Sequence, residues 1–417
     1  MKFNFFSSIP FWALLALIVV LSRFLGGRPV LRRAFLVASS VLMILSVPGF
    51  DPTNLVSLLA LAILTYLVGA ALNRGSRLVN AAPRRLASAA GIAIVLGFLA
   101  FFKYSAIQSL FLGRTPSEGT GASRIIFMVG VSYFSFKMIH FIVESFKRKI
   151  ERLSFPNYLA YILFFPSFIS GPINRYNQFT EHMDACVPTD LKNDLRIGAE
   201  RIVHGLFKKF VLVQIVHPFV LTNDAPALAG LSPGAALVGL YAYALYFYFD
   251  FSGYSDLAIG SARLMGVQLP ENFDNPFLRR NIRELWTNWH MSLTGWLVDY
   301  IYWPLVRKMR SAGYFREHPV LLSNVGMIVT FVVCGMWHGE APHFLIWGAY
   351  HGLGIAVLTV YQRQKRKVKN TRLQGYFRSK FSLVAGAIVT FNFFAIGLAF
   401  FVLDLRNLKT LWESFGF

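Results

Sequence analysis

Two histidines in this 417-residue chain stand where an imidazole could do chemistry, because each lies in an aromatic, nearly uncharged stretch. His338 follows Val333-Cys-Gly-Met-Trp and is flanked by Gly335 and Gly339, which let a backbone or a ligand approach closely. Imidazole changes charge near neutrality, so a positioned histidine can take a proton from a hydroxyl as a general base. A neutral histidine can equally bond across two packed helices, and the residues alone leave both readings open for His338. Cys334 precedes it by four residues on the same helical face, as a nucleophile–base pair requires. Packing of a small side chain fits Cys334 better, since nothing nearby supplies a third, orienting group.

His290 sits in the stretch Phe277–Tyr300, where 100° per residue puts Trp286, Trp289, His290, Leu293, Trp296, Leu297 and Tyr300 on one apolar stripe of a predicted amphipathic helix. Arg283, Asn288, Ser292 and Asp299 face the other way. A Trp-rich helix with a basic entry belongs at a membrane–water boundary. Arg279, Arg280 and Arg283 could hold a phosphate-rich group such as coenzyme A or phosphopantetheine, or simply mark cytoplasmic topology and contact anionic lipid. Asp250 and Asp256, at the end of an apolar span, could do acid–base or cation-coupling work. Six residues apart they do not face each other, and bonding to a helix end, Tyr or Arg is the better reading. His351, His140, His204 and His217 read as structural. Phosphate-binding glycine loops, metalloprotease His-Glu-x-x-His, serine-hydrolase and dinucleotide fingerprints do not occur, and no metal site is predicted.

The elements that must position these groups are membrane helices. The chain is 55% hydrophobic and 15% charged, with 41 Phe, whereas a soluble domain averages about a quarter charged residues. Its net charge of +21 is spread in short clusters between apolar runs, as the positive-inside rule requires, which excludes a nucleic-acid-binding face. Cys186 and Cys334 make neither a disulfide framework nor a metal cluster. Candidate spans are 9–22, 34–47, 54–72, 87–103, 125–146, 157–171, 200–221, 232–249, 319–338, 342–361 and 381–403, the first an uncleaved N-terminal span. The piece at 157–171 is interrupted by Pro166 and Gly171, so it reads as re-entrant or bent. Basic clusters after the first, third and fifth spans put the N-terminus outside. Cytoplasmic Arg307–Arg316 sends 319–338 outward, and 342–361 returns to the basic 363–380 loop. The His290 stripe therefore begins on the cytoplasmic side, whereas His338 ends an outgoing helix.

Four blocks, in this order, carry a resemblance. They are Phe164-Phe-Pro-Ser-Phe-Ile-Ser-Gly-Pro-Ile-Asn-Arg-Tyr176; Tyr248-Phe-Asp-Phe-Ser-Gly-Tyr-Ser-Asp-Leu-Ala-Ile-Gly260; Glu271-Asn-Phe-Asp-Asn-Pro-Phe277 with Glu284–Leu293; and Gly335-Met-Trp-His-Gly339 with Trp347-Gly-Ala-Tyr-His-Gly352. Together they resemble the membrane-bound O-acyltransferase family, in the bacterial branch of teichoic-acid D-alanylation and alginate O-acetylation proteins. The resemblance implies one all-α polytopic domain over 1–417 with a signature core at about 125–355. Its architecture would be about 11 transmembrane helices, plus re-entrant and interfacial ones, ringed around a central tunnel. It implies transfer of a D-alanyl or acetyl group from a cytoplasmic thioester to a hydroxyl of a cell-surface polymer or an extracytoplasmic partner protein. The thioester is a co-substrate, on a carrier-protein phosphopantetheine or as acyl-CoA, and no bound cofactor is expected. By motif position His338 matches the catalytic histidine and His290 the second, histidine-or-asparagine position. Arg279, Arg280, Arg283, Asn288 and Trp289 would meet the donor, and Pro172, Arg175, Asp250, Tyr254, Trp286, Trp337 and His351 would shape the tunnel. The localisation implied is a bacterial cytoplasmic membrane, in contact with its lipids. The alternative from the residues alone is a transporter or lipid-binding channel with histidines and Asp250 in a relay. The lack of internal repeats counts against it.

Overall fold

The computed structural model describes residues 8–47, 50–74, 81–112, 128–184 and 190–415; Cys186 lies outside them. Among these the protein is helical, and the only extended pairing is an isolated bridge between Phe273 and Trp289. Eight helices are long and apolar enough to cross a membrane: Ile9–Gly27, Pro52–Arg74, Ala81–Lys103, Leu191–Phe219, Pro233–Leu264, Pro319–His338, Pro342–Lys367 and Lys380–Val402. Each matches one of the expected spans, which overrun the helix by at most two residues at 200–221, 232–249 and 381–403. The other three expected spans correspond to shorter pieces. Pro29–Leu45 and Val131–Phe146 have 17 and 16 residues, and the third is the nine-residue helix Phe155–Leu163 followed by a single tight turn. Large apolar side chains such as Ile9, Phe24, Val56 and Val357 are more than two-thirds exposed, as helices facing acyl chains require. The protein is a multi-pass membrane protein.

The described residues fall into two compact units. The first comprises 1–205 and 254–270, the second 206–253 and 271–417, so the long helix Pro233–Leu264 contributes its two ends to different units. This helix corrects one expectation. Asp250 and Asp256 lie well inside it, so neither bonds to a helix end. In the first unit Asp256 accepts from Arg201 at 2.6 Å, and in the second Asp250 pairs with Lys209. Each carboxylate is thus matched by a cation on the helical run Leu191–Phe219.

The first unit is built on aromatic packing: Phe134, Phe141, Tyr158, Tyr161, Phe164, Phe168, Tyr176 and Phe179 are all at most 2% exposed. Pro166 stops the helix Phe155–Leu163, because its ring cannot donate a hydrogen bond and crowds the preceding turn. The freed groups are satisfied by protein. Buried Lys137 donates to the Tyr161 carbonyl at 3.1 Å and to the Ser167 hydroxyl at 2.8 Å. The Tyr161 hydroxyl donates to the Asn174 carbonyl at 2.8 Å, and the Tyr176 N–H donates to His140 Nε2 at 2.9 Å. The irregular stretch expected at 157–171 is therefore a bent segment stitched to its neighbours. Elsewhere in this unit Asp194 (1% exposed) accepts from Arg23 at 3.0 Å and is ion-paired with Arg263 at 2.6 Å.

The second unit is organised around the hairpin of Pro319–His338 and Pro342–Lys367. A side chain on Gly335 would meet the Phe344 carbonyl oxygen at 2.1 Å, and one on Gly348 the Phe331 carbonyl oxygen at 2.3 Å. Only glycine lets these backbones touch, the usual device for packing helices in lipid, where apolar burial gives no drive. Trp286, Trp289, Trp347, Phe394 and Leu398 fill the core between this hairpin, the last span and the 277–300 stretch.

Candidate functional site

The stretch predicted as one amphipathic helix is broken at its centre. Asn281 caps a short helix, Ile282–Asn288, by accepting from the Glu284 N–H at 3.0 Å. Trp289 is then extended, His290 adopts the left-handed conformation (φ 43°, ψ 52°), and a second short helix runs Met291–Leu297. A left-handed non-glycine residue costs about 1–3 kcal/mol and persists only when its surroundings enforce it. Here the enforcing element is a main-chain clasp with residues 272–274. Phe273 bridges Trp289, the Asp274 N–H donates to Asn288 O at 3.1 Å, and the Met291 N–H donates to Asn272 O at 2.9 Å. Five of the seven residues of the predicted stripe are nevertheless buried, since Trp286, Trp289, His290, Leu293 and Trp296 are all at most 8% exposed, whereas Leu297 and Tyr300 are half-buried. Both short helices turn the same side inward, which is why periodicity alone reads them as one.

The clasp also sets the His290 side chain. Its Nδ1 lies 3.2 Å from Asn272 Oδ1, and the same oxygen accepts from the Ser292 hydroxyl at 2.6 Å and the Ser292 N–H at 3.4 Å. Phe251 stands edge-on to the imidazole at 4.6 Å. Burial pushes the His290 pKa down to about 3, so the ring is neutral. Asn272, itself fully buried, was not singled out among the sequence's candidates. Its Asn-Phe-Asp-Asn-Pro context signals a turn, but a partner 18 residues away leaves no periodic trace.

His338 is the last residue of its helix and half-buried in an aromatic collar. Trp337 lies at 4.6 Å between ring centres, Phe401 at 4.9 Å and Trp347 at 5.1 Å, the last two edge-on. From Trp347 the ring contacts continue to His351 at 5.0 Å and Trp286 at 5.7 Å. A second path runs from His338 through Phe401, Phe247 and Phe251 to His290. The second unit therefore gathers His338, His290, Trp286, Trp289, Trp337 and His351 into one aromatic system. His351 is fully buried within it. Cys334 is buried one turn before His338.

The arginines do not converge. Arg279 bonds to Asp274 (2.5 Å to the carboxylate), Arg280 to Glu284 (2.6 Å), and Arg283 to Thr359 (2.6 Å) and Gln362 (3.3 Å). Asn288 donates to its own helix at Glu284 O, 2.7 Å away. Pro172, Arg175 and Tyr254 belong to the first unit, where Tyr254 hydrogen-bonds with the Ser170 backbone. Among the described residues no group of three His, Cys, Asp or Glu side chains could hold a metal ion.

A family model, membrane-bound O-acyltransferase, matches residues 83–403 and so takes in both histidines and the clasp. The chain belongs to the membrane-bound O-acyltransferase family. Among its relatives, the teichoic acid D-alanyltransferase of Bacillus subtilis (strain 168) is 30% identical over 305 residues, covering 71% of this chain and 75% of the relative. That of Streptococcus thermophilus is 31% identical over 314 residues, covering 73% and 75%. The probable alginate O-acetylase AlgI of Azotobacter vinelandii is 29% identical over 303 residues, covering 72% of this chain and 58% of the relative. The protein is an enzyme of the O-acyltransferase class.

Proposed function

We propose that this acyltransferase takes a D-alanyl or acetyl group from a cytoplasmic thioester and passes it through a tunnel to a hydroxyl outside a bacterial cytoplasmic membrane. The hydroxyl belongs to a cell-surface polymer or to an extracytoplasmic partner protein. The donor is a carrier-protein phosphopantetheine or acyl-CoA, and the whole chain works as one acyltransferase domain. The observation that carries the reading is the collar at His338, which holds a half-buried imidazole at the end of a membrane helix among aromatic rings. There His338 takes the proton of the attacking hydroxyl as its oxygen bonds the thioester carbonyl carbon. The tetrahedral intermediate collapses, the C–S bond breaks, and the departing thiolate recovers that proton from His338. Positioned proton transfer of this kind contributes about 10²–10⁴-fold. The Asp250–Lys209 ion pair supports a structural role for Asp250 and counts against a histidine–aspartate transport relay. The test is acyl transfer by protein in proteoliposomes, offered D-alanyl-carrier or acetyl-CoA inside and a polyol acceptor outside. His338→Ala is expected to lose transfer by about 10²-fold or more while keeping its melting temperature. Unchanged transfer by that variant overturns the assignment, and solute flux that needs no thioester favours the transporter.

A further inference from the structure

We infer that Asn272 is a positioning residue that holds His290 as a single tautomer, Nδ1 protonated and Nε2 bare. His290 then serves the reaction as an acceptor from a substrate N–H or O–H and not as a donor to the thioester carbonyl oxygen. The inference rests on the acyl-transfer reading and goes beyond it. It decides between two roles that the second histidine of such a site could fill, orienting the donor or stabilising the oxyanion.

The argument begins at Ser292. Its backbone N–H can only donate, and it points at the Asn272 amide from 3.4 Å, so the amide atom facing it is the oxygen. The Ser292 hydroxyl, 2.6 Å from the same atom, must donate as well. An amide oxygen has no proton to give. The His290 Nδ1, 3.2 Å away, is therefore the donor in its contact. A neutral imidazole carries one N–H, so once Nδ1 holds it, Nε2 presents a lone pair. Both residues are also pinned through their main chains. The Met291 N–H donates to Asn272 O, and Phe273 pairs with Trp289, so the two side chains are presented to each other across the clasp. Asn272 relates to His290 as an orienting group relates to a catalytic imidazole, and it does so without a charge.

Two measurements test this. First, ¹⁵N NMR of the unaltered protein labelled at histidine, with His290 assigned by comparison with His290→Ala, is expected to show a protonated Nδ1 and an unprotonated Nε2. A protonated Nε2 in the neutral ring overturns the proposal, and this reading needs no variant at position 272 to fold. Second, transfer rates are compared for Asn272→Leu, Asn272→Asp, His290→Ala and the double variant Asn272→Leu/His290→Ala. Asn272→Leu is expected to lose about 10²-fold in turnover, Asn272→Asp to stay within about tenfold because it keeps the accepting oxygen, and the double variant to fall no further than His290→Ala. Losses that multiply in the double variant, or full turnover in Asn272→Leu, overturn it. If the unaltered protein transfers no acyl group from any thioester, the acyl-transfer reading fails instead, and the tautomer is still read by NMR.

Discussion

Each of the two units contains a place where a helix is stopped at buried depth, and the two are built differently. In the first unit the stop at Phe164–Ser167 is caused by Pro166 and repaired by side chains, with Lys137 and the Tyr161 hydroxyl reaching across to carbonyls and a hydroxyl. In the second the stop at Trp289–His290 has no proline or glycine. It is imposed by a main-chain clasp that forces His290 into a left-handed conformation. The first break uses its titratable group to satisfy the backbone. The second uses the backbone to aim a titratable group. That inversion is what separates a structural irregularity from a candidate site, and it can be challenged experimentally.

The largest effect is expected from His290→Ala, with transfer falling about 10²-fold or more and thermal unfolding in detergent shifting little. A loss of stability that accounts for the lost activity would put this break in the same class as the first. Next comes Lys137→Met, which leaves the Tyr161 carbonyl and the Ser167 hydroxyl without their donor in a buried setting. It is expected to lower stability by about 1–3 kcal/mol, with activity tracking the folded fraction. A smaller effect separates His290→Gly from His290→Ala. Glycine accepts the left-handed backbone freely, so the Gly variant is expected to be more stable than the Ala variant by about 1 kcal/mol while equally inactive. Equal melting temperatures would mean that the clasp carries no strain at this residue. The smallest effect is a reference that belongs to neither break. Asp404 caps the last helix by accepting from the Asn407 N–H at 2.8 Å and from Asn223 Nδ2 at 3.1 Å, which holds its pKa below the ordinary aspartate value. A carboxylate with a lowered folded pKa contributes stability that is full above about pH 4 and fades as pH falls through the folded value. Asp404→Ala, expected to cost about 1 kcal/mol at neutral pH, should then match the unaltered protein more closely in acid.

Most of the architecture was legible because lipid leaves a coarse signature. Apolar runs gave the eight long helices, and Pro166 with Gly171 announced the first break. The second break was hidden for a physical reason: Trp286, Trp289, Leu293 and Trp296 keep helical spacing across it, since the two short helices bury the same side. Asn272 was hidden because its contact is non-local. The side-chain partners of the arginine triplet were hidden likewise: Arg279, Arg280 and Arg283 each bond to a separate protein group, which no pattern of basic residues can announce. For the two aspartates the helix-end part of the reading fails, because the apolar run stops near Asp250 whereas the helix itself continues to Leu264, but the expected arginine partner is present at Asp256, and Lys209 takes that place at Asp250.

The burial of Lys137 also makes it a reporter. Its amine is shut away from reagents in the folded first unit and is held by a carbonyl and a hydroxyl rather than by an acid. An amine-reactive label applied to intact membranes should modify the exposed lysines at once and Lys137 only at the rate at which that unit opens. Mass spectrometry of the single peptide spanning 131–146 would then time the opening of one half of this enzyme in its native bilayer, read separately from the half that holds His290 and His338.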